Sequence, residues 1–62
     1  MNVHTMLAQD LEVGDTYTFT GAVITFVAVV GPIVLVAYEA LDGTTHGTTY
    51  YATDGVVVGR QS

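Results

Sequence analysis

Residues 22–41, AVITFVAVVGPIVLVAYEAL, decide what this chain can fold into. The 17 residues 22–38 carry no charge, which is the short end of what a membrane-spanning helix needs. Gly31-Pro32 interrupts the run near its middle. A proline inside a helix removes a hydrogen bond and costs about 3 kcal/mol. The residues around it are mostly Val, Ile, Thr and Phe, which are stiff at χ1 and suit a pleated surface. With one Arg and no Lys in the chain, neither flank carries the positive bias that orients a membrane helix. The run therefore reads as a β-hairpin with arms at 23–30 and 33–41. Gly supplies the positive φ of the first position in a type II′ turn, and Pro fits the second. A membrane span over residues 22–38 is the alternative.

A chain of 62 residues makes one domain at most, here 1–62. A domain of this size buries only about 60% of its unfolded surface, and small domains add disulfides, metals or partners to compensate. There is no Cys, and two His with six carboxylates do not make a convincing metal set. No cofactor is expected. Half of the residues are apolar while 11% are charged, against about a quarter in ordinary proteins. More apolar side chains exist than a small interior can hold, and the surplus must face outward. Large exposed apolar patches mark interfaces, so self-association or a tight partner is expected. The net charge of −5 with a single Arg argues against nucleic acid as a partner, because phosphate neutralisation needs several Lys or Arg. Anionic membranes are disfavoured for the same reason. The N-terminal MNVHTMLAQD has no basic region and no long apolar core, so a cytoplasmic location is expected.

In chain order, residues 3–6 read as a short strand and 7–15 as irregular. Leu11 and Val13 alternate with Asp10 and Glu12, which would turn Leu11 and Val13 inward. The clearest strand is 16–20, TYTFT, with Tyr17 and Phe19 on one face. In the hairpin, Val23, Thr25, Val27 and Val29 would share one face, and Ile24, Phe26, Ala28 and Val30 the other. In the second arm Ile33, Leu35, Ala37 and Glu39 oppose Val34, Val36, Tyr38 and Ala40. Both faces are apolar, so the pattern does not tell which points inward. Asp42-Gly43 fits a hairpin turn, 44–47 extends that loop, and 48–53, TTYYAT, is the next strand. Tyr50 and Tyr51 must then face opposite ways. Asp54-Gly55 repeats the turn signal, 56–58 closes the sheet and 59–62 is a tail. Five or six short strands without a helical pattern make a small all-β barrel.

The succession LEVGD, TYTFTG, a Val-rich strand pair, a DG turn, TTYYATD and VVV resembles a type of small SH3-like β-barrel. It also resembles the start of hedgehog/intein-like modules, which share the L-x-V-G-D element. Free-standing versions occur in actinobacteria and their phages. The resemblance covers residues 11–58 and implies a five- to six-stranded SH3-like barrel. Leu11, Val13, Gly14 and Asp15 match a structural element that carries no chemistry, and the intein nucleophile has no counterpart here.

The candidate chemistry is sparse. His46 lies among Thr hydroxyls with Asp42 near in sequence, so a minor catalytic or metal site there is one alternative. Asp15, Asp42 and Asp54 belong to turns, where Asp accepts backbone hydrogen bonds. Glu39, a charge at the end of an apolar strand, would sit at a rim or pair with Arg60, since buried charges need partners. The aromatics carry more. Tyr17 and Phe19 are expected mainly in the core, while Tyr38, Tyr50 and Tyr51 have the amphipathic character favoured at interfaces. The expected interface is Val34, Val36, Tyr38, Tyr50 and Tyr51. These readings combine as a non-catalytic protein-binding module that self-associates. It would form a small oligomeric assembly or, if phage-encoded, engage a host protein.

Overall fold

The structure, a computed structural model, describes residues 2–60. It is all-β. Strands β1 (Asn2–Leu7), β2 (Thr16–Tyr17), β3 (Val23–Val30), β4 (Ile33–Glu39), β5 (Thr45–Tyr51) and β6 (Gly55–Arg60) form one antiparallel sheet. Their order is β1-β6-β2-β3-β4-β5. A 3-10 turn at Ala8–Asp10 leaves β1 and bridges back across the open end. The Ala8 amide donates to the Asp54 carbonyl at 2.8 Å and the Gln9 amide to that of Ala52 at 3.1 Å. These bonds draw the sheet into a barrel-like curl over its core. No helix among the described residues is long and apolar enough to cross a membrane, and residues 22–38 instead supply β3 and most of β4.

The central hairpin forms as its sequence dictates. Val30 pairs with Ile33, leaving Gly31 and Pro32 as a two-residue loop. Gly31 has φ +58°. Proline's fixed negative φ excludes the type I′ form, so the turn is type II′. The Pro32 carbonyl then accepts the Ala52 amide at 2.8 Å, which ties the turn to the end of β5.

The faces that the sequence left open are now assigned. In β4, Val34 and Val36 are buried, while Leu35 is 42% exposed. In β3 the strict alternation fails. Ile24 pairs with Tyr38 and Phe26 with Ala37, so Thr25 is an extra residue, a β-bulge. The bulge resets the pleat: Ile24 points inward before it and Val27 after it, whereas Phe26 points out. The core contains Ala8, Leu11, Ile24, Val34, Val36, Val56 and Val58, flanked by Met6, Tyr17, Val27, Tyr38, Tyr50 and Ala52.

Five expectations are corrected. The strand at 16–20 is only Thr16–Tyr17. Thr16 must pair with Val23, so residues 18–21 are used to reverse the chain, through Gly21 at φ +75° and a Gly21 amide bond to the Tyr17 carbonyl at 2.8 Å. Phe19 consequently lies at the tip of a turn, 93% exposed, and not in the core. Val13 is exposed as well, because the Asp15 amide bonds back to the Glu12 carbonyl at 3.1 Å and makes 12–15 a tight turn with Val13 at its apex. Of the expected loop at 44–47, Thr45, His46 and Gly47 belong to β5, paired with Glu39, Tyr38 and Ala37. Of the expected tail at 59–62, Gly59 and Arg60 belong to β6; residues 61 and 62 lie outside the described residues.

Candidate interaction surfaces

The pairing of β3, β4 and β5 sets out the outer face of the hairpin in rows. Residues directly opposite one another on neighbouring strands share a face. The rows are Phe26–Ala37–Gly47, Ala28–Leu35–Thr49 and Val30–Ile33–Tyr51. None of these residues is charged. Phe26, Val30, Leu35 and Tyr51 are 53%, 60%, 42% and 66% exposed. With aromatic side chains contributing on the order of 200 Å² each and aliphatic ones somewhat less, the open apolar surface is roughly 500 Å². Glu39 lies at the end of this face, opposite Val23 and Thr45.

On the inner side of the same sheet, a groove of about 460 Å³ opens between the β2–β3 turn and β5. Its floor is aromatic. Tyr17 meets Tyr38 edge-on with ring centroids 5.2 Å apart, and Tyr38 stacks on His46 at 5.5 Å. The Tyr17 and Tyr50 hydroxyls are 2.8 Å apart. Burial, reinforced by the Tyr50 hydroxyl, pushes the Tyr17 phenol well above its ordinary range. Phe19 stands at the rim. His46 receives its place from β5, which pairs it with Tyr38.

His46 Nε2 lies 2.8 Å from the Thr44 hydroxyl. That hydroxyl donates to Asp42 Oδ1 at 2.6 Å, and the Thr44 amide donates to the same oxygen at 3.0 Å. These two bonds, the hydroxyl's first, hold the Asp42 carboxyl below its ordinary range. The Thr44 hydroxyl proton is thus directed at Asp42, and His46 Nε2 meets the Thr44 oxygen from the other side. The chain of contacts fastens the β4–β5 turn, where Gly43 adopts φ +88°.

The strongest polar constellation is one the sequence reading assigned differently. Arg60 pairs with Asp15 and Glu12, not with Glu39. Its Nε and Nη2 donate to the two Asp15 carboxylate oxygens at 2.8 and 2.7 Å, and Nη1 lies 3.0 Å from Glu12. Nη2 also reaches the Asp10 carbonyl at 3.1 Å. Asp15 is 2% exposed and accepts the Glu12 amide at 2.9 Å as well. The Arg60 bonds foremost, then the Glu12 amide, hold the Asp15 carboxyl below its usual range against the opposing effect of burial. Asp15 raises the Arg60 pKa in return. This clamp fastens the end of β6 to the turn before β2. Among the described residues, no cluster of three or more His or carboxylate groups could hold a metal ion.

The expected interface residues divide. Val34 and Val36 are in the core and are unavailable to a partner, because the pleat turns Leu35 outward instead. Tyr38 and Tyr50 are half-buried in the aromatic groove. Tyr51 is on the outer face. Phe26, Val30 and Leu35 escaped the sequence reading, since nothing before the Thr25 bulge distinguished one apolar face from the other. Neither a protein-family model, nor a curated protein, nor a solved structure matches this chain.

Proposed function

We propose that this protein is a non-catalytic, SH3-like protein-binding module that works as a self-associated assembly. The observation that carries the reading is the uncharged outer face of β3, β4 and β5. A few hundred Å² of contiguous exposed apolar surface marks an interaction site. Roughly 500 Å² on each of two copies reaches the lower bound of a specific interface, about 1,000 Å² in total. The alternative, a catalytic or metal site at His46, is less favoured, because the neighbouring Thr44 hydroxyl directs its proton at Asp42.

The aromatic groove favours a second, compatible role. Tyr17, Tyr38, Tyr50 and the fully exposed Phe19 provide rigid amphipathic rings of the kind that anchor partners at interfaces. It faces away from the outer sheet surface, so an assembled protein keeps it open for a different protein, a cytoplasmic one on the reading of the N-terminal residues. A host protein is the partner expected if the chain is phage-encoded.

The test is a parity experiment. Leu35→Glu places a charge on the outer face and dissociates the assembly in light scattering while the β-sheet circular dichroism persists. Val34→Glu, one residue earlier, places the charge in the core and unfolds the chain. A Leu35→Glu protein that remains assembled overturns the reading.

A further inference from the structure

We infer that the assembly is a twofold dimer in which Phe26 of each copy fits over Gly47 of the other; the inference rests on the self-association proposed above and specifies its partner and geometry. Gly47 lies inside β5 in unbroken register with Ala37. Its φ is not positive, and a Cβ built there meets only the Val36 carbonyl oxygen at an ordinary 3.8 Å. Nothing within the chain therefore requires glycine. A glycine inside a strand weakens it and often marks the close approach of another group. In the same row, two strands away, Phe26 projects outward from just beyond the Thr25 bulge, 53% exposed. One row thus holds a knob at Phe26 and a hollow at Ala37 and Gly47.

The hollow and the knob are self-complementary. An isologous interface requires that if residue i meets j, then j meets i. A twofold axis lying in the interface along β4 carries β3 of one copy over β5 of the other. Phe26 then falls on Gly47, Ala28 on Thr49 and Val30 on Tyr51, and Leu35 meets its own copy on the axis. Facing sheets stand about 10 Å apart, a gap that a phenyl ring fills against a bare glycine and overfills against a β-branched side chain. The bulge has a use here, because it brings Phe26 to the outer face. At the end of the axis Glu39 of the two copies comes together at the solvated rim.

The test measures the dimer dissociation constant by sedimentation equilibrium for Gly47→Val, Phe26→Ala, the double variant and Glu39→Gln. Gly47→Val is expected to weaken the dimer at least tenfold while leaving the monomer's thermal stability equal or higher. Phe26→Ala weakens it as well. The double variant restores volume at the contact and binds at least tenfold more tightly than the two single effects multiplied together predict. Glu39→Gln tightens the dimer several-fold by removing the like-charge contact. A Gly47→Val protein that dimerises like the unaltered chain overturns the Phe26–Gly47 contact, as does a double variant whose effects simply multiply. If Leu35→Glu still dissociates the assembly in that case, self-association through this face stands and only the fit is wrong. If the unaltered chain is monomeric, both fall. Should Gly47→Val fail to fold by circular dichroism, Phe26→Ala together with Glu39→Gln decides the matter: a loss with the first and a gain with the second support the geometry, and any other pair of results refutes it.

Discussion

Replacing Asp15 by Asn keeps the shape of the buried carboxylate and removes its charge. The side chain is 2% exposed and accepts two Arg60 bonds and one from the Glu12 amide. Removing one partner of a buried pair costs about 3–5 kcal/mol, and hydrogen bonds to charged groups contribute about 1.5–3 kcal/mol. Arg60 keeps a 31% exposed side chain and regains water when unpaired, so a loss of about 2–3 kcal/mol is expected. For a domain of this length total stability is about 3–9 kcal/mol. The melting temperature should accordingly fall by about 10–20 °C. The pH dependence gives the sharper check. The folded Asp15 pKa is lowered, so its contribution is complete above the unfolded value near 4 and is lost as pH falls through the folded value. Thermal unfolding followed by circular dichroism, at one fixed protein concentration, should show a wide gap between the unaltered chain and Asp15→Asn at pH 7. The gap should narrow below pH 4. A gap that stays constant down to pH 2, or one smaller than about 1 kcal/mol at pH 7, would refute the clamp as a source of stability.

Gly31→Ala forces an L side chain to φ +58° in a turn where Pro32 prevents relaxation, and should cost at least about 1 kcal/mol in urea unfolding. An unchanged midpoint would contradict the type II′ assignment. Tyr17→Phe removes one half of the Tyr17–Tyr50 hydroxyl pair and should lower stability by about 1 kcal/mol. In a spectroscopic titration of the unaltered protein, one of the four tyrosines should ionise only at a pH well above the ordinary range, and Tyr17→Phe should abolish that late component. A late component that persists would place the buried phenol elsewhere.

The sequence made the hairpin legible because Gly-Pro divides an uncharged run into two strand-length arms, and only one turn type accepts that pair. It could not orient the hairpin. Val34 and Leu35 are equally apolar, and a single extra residue at Thr25 inverts the parity of β3 without leaving a compositional mark. The TYTFT alternation was a true amphipathic signal, but local alternation says nothing of where the partner strand ends. Pairing of Thr16 with Val23 left no room for the strand beyond Tyr17. The Arg60 partner was missed for a related reason. One cation faced six carboxylates, and Asp15 is 45 positions away in sequence; only the antiparallel path of β6 beside β2 brings them together. The apolar surplus, by contrast, was visible as composition and became the outer face of β3, β4 and β5.

On the proposed function, this face is covered by a second copy of the chain. Molar mass in solution, by light scattering on a size-exclusion column across a wide concentration range, tests it most directly. A species of about 13 kDa, twice the 6.5 kDa chain, that persists on dilution is the expected result. A stable 6.5 kDa monomer at every concentration would contradict it.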